Sequence, residues 1–151
     1  MKIYIGADHA GVKLKVKIRK YLNSKKIAFE DFGSFDEKSK DDYPDFAFRV
    51  AEKVSKHKGE SFGILICGTG TGMCIAANKI KGIRAATGYD SYSVRKGRED
   101  NDINVLCLRG REMSDKKNLE FVRLFLKTKF SKKDRHIRRI HKIARYEGRK
   151  R

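Results

Sequence analysis

Apolar residues gather into short runs at about 2–7, 27–32, 62–67, 83–88 and 103–108, each bounded by polar or glycine-containing stretches, the pattern of buried strands. Between them, apolar positions return every three or four residues, as on one face of a helix. Residues 44–58 show this most clearly. Phe46, Ala47, Val50, Ala51 and Val54 form a stripe, and Pro44 suits a first helical turn, where its missing N–H removes no bond. Residues 114–130 repeat the pattern with Leu119, Val122, Phe125 and Leu126 behind Ser114 as N-cap. Residues 12–22 fit two periods: Val12, Leu14, Val16 and Ile18 alternate like a strand, while Leu14, Ile18, Tyr21 and Leu22 recur like a helix. The strand–helix–strand context selects the helix. Alternating strands and helices predict an α/β fold, a parallel sheet with helices on both faces.

The chain has 151 residues, a single proline and neither repeat nor low-complexity linker, which predicts one domain over 1–151 with a basic helix or tail from about 131. The opening Lys2-Ile3-Tyr4-Ile5 carries no signal-peptide core, and no apolar run approaches the ~20 residues of a membrane span. The three cysteines follow no paired pattern, which fits a reducing cytoplasm.

Charge changes the picture of the C-terminal segment. The formal net charge is +18, and residues 131–151 hold ten Lys/Arg against Asp134 and Glu147. Such a surface attracts polyanions without choosing among them, so incidental RNA binding is expected. A dedicated nucleic-acid role finds no zinc-finger spacing, RNA-recognition aromatics or helix-turn-helix to support it. Ile137, Ile140 and Ile143 recur at helical spacing and predict a helix that docks an apolar face. Arg135 and Arg139 lie four apart, which puts two guanidinium groups on one helical face beside His136, a geometry for gripping phosphate or simply a basic helix. His136 and His141 lack companion ligands, so no metal site is expected.

The most chemical stretch is Ile64-Leu65-Ile66-Cys67-Gly68-Thr69-Gly70-Thr71-Gly72, leading into Met73 through Lys79. A strand empties into a glycine turn and then a helix, so Cys67 sits where backbone N–H groups favour both an anion and a thiolate. Cysteine at a strand end is also a common buried structural residue. A dinucleotide site fails on register, because G-x-G-x-x-G begun at Gly68 or Gly70 needs a small residue where Met73 or Ile75 stands.

In open α/β sheets ligands bind beyond the carboxyl ends of the strands, so the residues that follow each strand are pooled. The first strand delivers Asp8 and His9, the third Cys67 and its turn, and the fifth Gly110 and Arg111; a loop at 97–102 adds Arg98, Glu99, Asp100, Asn101 and Asp102. Each has another reading, Asp8 as a helix cap, His9 as a hydrogen-bonded structural group and the loop charges as solvated. Their convergence on one edge is the expectation that favours a site.

With these residues in view, the chain resembles the ribose-5-phosphate isomerase type B family, which includes the galactose-6-phosphate isomerase subunits. The resemblance runs from Met1 to about Ile143. It rests on Gly6-Ala7-Asp8-His9-Ala10-Gly11, Asp42-Tyr43-Pro44-Asp45, Cys67 through Lys79, Gly82-Ile83-Arg84-Ala85-Ala86, Asn101-Asp102-Ile103-Asn104-Val105 and Arg135-His136-Ile137-Arg138-Arg139. It implies a doubly wound, five-stranded parallel sheet (Rossmann-like), a homodimer or dimer of dimers, and aldose–ketose isomerisation of a phosphosugar without metal or other cofactor. It further implies Cys67 as the base between C1 and C2, Thr69 assisting at the substrate oxygens, and the N–H groups of Gly68, Gly70, Thr71 and Gly72 as an anion hole. Asp8, Tyr43 and Asn101 would bind sugar hydroxyls, and His9, Arg111, Arg135 and Arg139 the phosphate, in sites shared between subunits with the 100–111 region crossing over. Members that open a furanose ring usually carry histidine before the asparagine of this loop, where this chain has Asp100 as the candidate catalytic group.

Overall fold

The structure, a computed structural model, describes residues 1–57 and 59–148; Lys58 and the end of the expected basic tail, Arg149, Lys150 and Arg151, lie outside the described residues. Strands β1 (Lys2–Ala7), β2 (Phe29–Asp31), β3 (Ser61–Cys67), β4 (Ala85–Thr87) and β5 (Val105–Arg109) alternate with helices α1 (Val12–Ser24), α2 (Tyr43–Lys56), α3 (Thr71–Ala77), α4 (Ser91–Asn101) and α5 (Asp115–Lys127), and α6 (Asp134–Glu147) follows. All strand pairs are parallel and the order is β2-β1-β3-β5-β4. β2 and β4 have three residues each, shorter than the expected 27–32 and 83–88, because as edge strands each pairs on one side only.

Period two along the buried strands builds a core on each face of the sheet. Ile3, Ile5, Ile64, Ile66, Leu106 and Leu108 face Leu14, Ile18 and Leu22 of α1, Val94 of α4 and Phe121, Val122 and Phe125 of α5. Tyr4, Leu65, Cys67, Val105 and Cys107 face Ala47, Val50, Ala51 and Val54 of α2 and Met73, Ala76 and Ala77 of α3. Val16, which a strand over 12–22 would bury with its neighbours, is 41% exposed, so the helical period governs.

Two expectations need correction. The loop at 97–102 is the last turn of α4 followed by Asp102, whose φ of 48° ends the helix in the left-handed region. The segment hid its helix because Val94 is its only buried apolar side chain and Gly97 interrupts it; its start is fixed instead by a capping box of Asp90 and Ser93. The C-terminal helix forms as expected but docks only in part. His136 is buried, Ile137 and Ile140 are half-buried, and Ile143 is 55% exposed. Its last turn is held by Glu147, whose carboxylate accepts the Gly82 N–H at 2.9 and 3.0 Å. Among the described residues no helix is long and apolar enough to cross a membrane.

Candidate active site

The carboxyl ends of β1, β3 and β5 meet where the strand order switches direction between β1 and β3, the place where an open α/β sheet leaves a crevice. β1 feeds a 3-10 turn, His9–Gly11, capped by the Asp8 carboxylate, which accepts the Ala10 N–H at 3.0 Å. A side chain at Gly11 would stand 2.7 Å from Ile66, so this turn lies flat on the end of β3. Asp8 is 6% exposed. Burial pushes its carboxyl above the ordinary value, against the His9 ring and the Ala10 N–H, which pull it down.

β3 ends at Cys67, which is 5% exposed. The turn folds back so that the Gly70 N–H points at Cys67 Sγ, 3.1 Å away, a bond stronger to a thiolate than to a thiol. Gly70 takes φ 79°, a conformation that side chains rarely adopt and that aims the N–H at the sulfur. The Thr71 N–H is turned toward Thr69 Oγ1 at 3.3 Å. Two of the four expected anion-hole amides thus already have partners within the turn. α3 has seven residues, so what it offers is its first-turn N–H groups rather than the field of a long helix.

Three more predicted residues join this cluster. Tyr43, the first residue of α2, lays its ring on the turn: a side chain at Gly72 would meet it at 2.7 Å. Arg111 covers Gly68, where an added Cβ would be 3.6 Å from its Cδ. Its own N–H bonds the Gly68 carbonyl at 3.1 Å. His9 Nδ1 lies 2.8 Å from Asp41 Oδ1, an oxygen that also accepts the His9 N–H at 3.1 Å.

Asp100 and Asn101 are elsewhere, which corrects the expectation of a single edge, and Arg135 and Arg139 lie with them. α4 runs antiparallel to the strands, so its last turn precedes β5 and lies at the amino edge of the sheet, with α6 beside it. There His136 is 3% exposed, with Nδ1 2.9 Å from Ser131 Oγ and 3.5 Å from Asp100 Oδ1. Arg135 Nε donates to His136 Nε2 at 3.1 Å. Arg98 is structural: buried over the Phe62 and Phe125 rings, it binds Asp102 Oδ1 at 2.7 Å and the Ile103 carbonyl at 2.5 Å. Within one chain the predicted residues therefore form two groups at opposite edges.

Sequence reasoning passed over Asp41, one residue before the Asp42–Asp45 motif, and the pair Cys74 and Cys107. Hydrogen bonding from Cys107, helped by Thr87 and Asn78, outweighs burial and brings Cys74 down to about 6. The same sulfur is 3.4 Å from the Ala85 carbonyl, a contact that suits the thiol, but the donors around it prevail. Burial pushes the Cys107 thiol well up. Only their packing between α3 and β5 marks this pair.

A buried thiol, a glycine turn of inward N–H groups and flanking histidine and arginine at the switch point of a doubly wound sheet define an α/β enzyme for a small anionic ligand. The chain belongs to the ribose/galactose isomerase family, whose model matches residues 3–143. Ribose-5-phosphate isomerase B of Mycoplasma genitalium, solved with bound ribulose-5-phosphate, superposes with a TM-score of 0.95 at 45% identity, over 99% of this chain and 97% of that one. Ribose-5-phosphate isomerase B of Clostridium thermocellum gives 0.92 at 44% identity over 97% of both. D-erythrulose-4-phosphate isomerase 2 of Mycolicibacterium smegmatis is 37% identical, covering 98% of each chain.

Proposed function

We propose that the protein interconverts ribose 5-phosphate and ribulose 5-phosphate through an enediolate. The observation that carries this reading is the Cys67 thiol at the glycine turn, with Gly70 N–H directed at its sulfur, in a chain that matches a ribulose-5-phosphate-bound relative over nearly its full length. Cys67 as thiolate takes the proton from C2 of the open-chain aldose and returns it at C1. Thr69, exposed on the turn, exchanges a proton with the O1 and O2 oxygens. Because the Gly70 and Thr71 N–H groups already have partners, the charge on the enediolate falls chiefly to Gly68, Gly72 and the remaining first-turn amides. Asp8 and Tyr43 hold sugar hydroxyls, and His9 and Arg111 the phosphate.

Asn101, Arg135 and Arg139 complete the site only from a second copy, because in one chain they occupy the opposite edge of the sheet. That separation supports homodimers, singly or paired, with shared sites. Mixing Cys67→Ala with Arg135→Ala protein, each inactive, should restore turnover in the hybrid; no recovery after subunit exchange would place each site within one chain. The basic surface binds polyanions incidentally. The metabolic setting is the cytoplasmic non-oxidative pentose phosphate pathway.

A second reading, isomerisation of another aldose phosphate, is favoured by Asp100 in place of a ring-opening histidine and by relatives named for erythrulose 4-phosphate. A coupled assay on a panel of four-, five- and six-carbon phosphosugars decides between them. Turnover of none, with RNA retained, would instead support a polyanion-binding protein on this scaffold.

A further inference from the structure

Asp41 belongs to no motif of the family resemblance, yet its placement is among the most constrained on the carboxyl edge. The segment after β2 is strapped down from below by Lys15, whose side chain is 1% exposed and whose Nζ binds Asp31 Oδ1 and the Ser34 carbonyl, each at 2.6 Å. Above that anchor, Gly33 and Ser34 exchange backbone bonds with Ala7 at the end of β1. Ser34 Oγ donates to the Asp36 carbonyl at 3.3 Å and accepts the Asp36 N–H at 3.4 Å. The strap runs from Lys15 through Ser34 and Asp36 along the segment to Asp41 and ends on His9. There one carboxylate oxygen accepts both the backbone N–H and ring Nδ1, and the Asp41 side chain is only 10% exposed against 36% for His9. A buried polar strap that ends on a half-exposed imidazole orders that ring at the expense of its rotamer freedom.

We propose that Asp41 is a positioning residue that fixes the orientation and tautomer of His9 for the phosphate of the substrate. The assignment rests on the phosphosugar reading given above. A carboxylate accepts and cannot donate, so its partner Nδ1 carries a proton and Nε2 is the nitrogen left for a ligand. Among the described residues Nε2 has no partner. A phosphate oxygen that meets Nε2 shares one proton with it, with Asp41 on the far side of the ring, so the contact becomes a charge-assisted hydrogen bond. Among the described residues, the charged groups that interact with the ring are Asp41 from the strapped segment and Asp8 on its own turn; Arg111, in the loop after β5, covers Gly68 and adjoins Gly110, itself packed on Ala10. Asp41 stays ionised for this role. Burial alone would raise its carboxyl, but the His9 ring, Ser34 and the His9 N–H together leave it below the ordinary value.

The test uses Asp41→Asn, which keeps the shape and removes the charge, and Asp41→Leu, which removes the acceptor. In the full-length protein, Asp41→Asn should raise the KM for ribose 5-phosphate and the Kd for inorganic phosphate about tenfold, with kcat within about twofold. In a His9→Ala background the same change should do nothing further, because Asp41 acts through His9. Nitrogen-15 shifts of the His9 ring should report protonated Nδ1 in the parent and a shift toward protonated Nε2 in Asp41→Leu. Unchanged KM, phosphate affinity and tautomer would overturn the assignment, as would an equal loss in the His9→Ala background. If the parent isomerises no phosphosugar, the proposed reaction fails, while phosphate binding and the ring shifts still decide the role of Asp41. If Asp41→Leu does not fold, the Asp41→Asn affinities and the double variant decide it.

Discussion

Replacing Cys67 separates catalysis from folding, because the two consequences differ in size. Cys67 is 5% exposed, packed with Leu65, Met73 and Cys107, and Sγ accepts one N–H, from Gly70. Cys67→Ala removes one buried heavy atom, worth about 1 kcal/mol of transfer free energy. It also leaves the Gly70 N–H without its acceptor, about 1–2 kcal/mol at a turn that water can reach. The sum, about 2–3 kcal/mol, should lower the melting temperature by several degrees, at roughly 2–4 °C per kcal/mol for a domain of this size. Removing the proton-transferring base instead lowers kcat by about 10²–10⁴ or more, a barrier increase of about 3–6 kcal/mol. The phosphate groups are untouched, so substrate affinity is retained. Cys67→Ser should keep the hydrogen bond and most of the stability while recovering little rate, since a hydroxyl is a far poorer base. The assay pairs steady-state kinetics in the ketose-to-aldose direction with thermal unfolding and a substrate-binding isotherm. Activity within a few-fold of the parent in Cys67→Ala, with the fold intact, would refute the assignment of the base.

Gly72→Ala should drive its new methyl into the Tyr43 ring, 2.7 Å from Cζ, and lower kcat/KM by at least tenfold; normal kinetics with the ring unmoved would show that Tyr43 is not needed on the turn. Cys74 is half-buried and held at about 6, so at pH 7 it should react with iodoacetamide well before Cys107, at a rate that rises through pH 6 and then levels; peptide mass spectrometry that found Cys107 modified first, or a Cys74 rate still climbing above pH 8, would contradict the hydrogen-bonded thiolate. Asp41 should support acid stability: its carboxyl is held below the ordinary value in the folded state, so the parent's advantage over Asp41→Asn is present above about pH 4, the unfolded value, and fades as pH falls through the folded one; denaturant melts with a pH-independent gap would count against it. Asp100→His should speed turnover of cyclic ribose 5-phosphate more than that of open-chain ribulose 5-phosphate, since imidazole titrates near neutral pH; equal acceleration, or a parent that already outpaces spontaneous ring opening, would reject the account of Asp100.

Local pattern was enough for the layers of this molecule. The unbroken apolar runs that became β1, β3 and β5, and the stripes of α1, α2 and α5, state what is buried, both faces of the central strands and one face of each helix, because burial of apolar area is what those elements exchange for chain entropy. The Cys67 turn was legible for a related reason: glycines at 68, 70 and 72 act through backbone geometry, which is local. The helix over 91–101 was not, since a capping box and one buried valine carry it where a stripe was sought. Neither, from pattern alone, was the division of the candidate site, which only the family resemblance implied. That Asp100, Asn101, Arg135 and Arg139 stand at the edge opposite Cys67 follows from α4 running antiparallel to the strands and α6 packing beside it, a relation between elements far apart in sequence. Asp41 reaching His9 across 32 residues, and Cys74 meeting Cys107, are contacts of the same kind. Residue type and spacing determined the elements and the chemistry of the turn; which side chains meet across the sheet was decided by long-range packing, where position in space no longer tracks position along the chain.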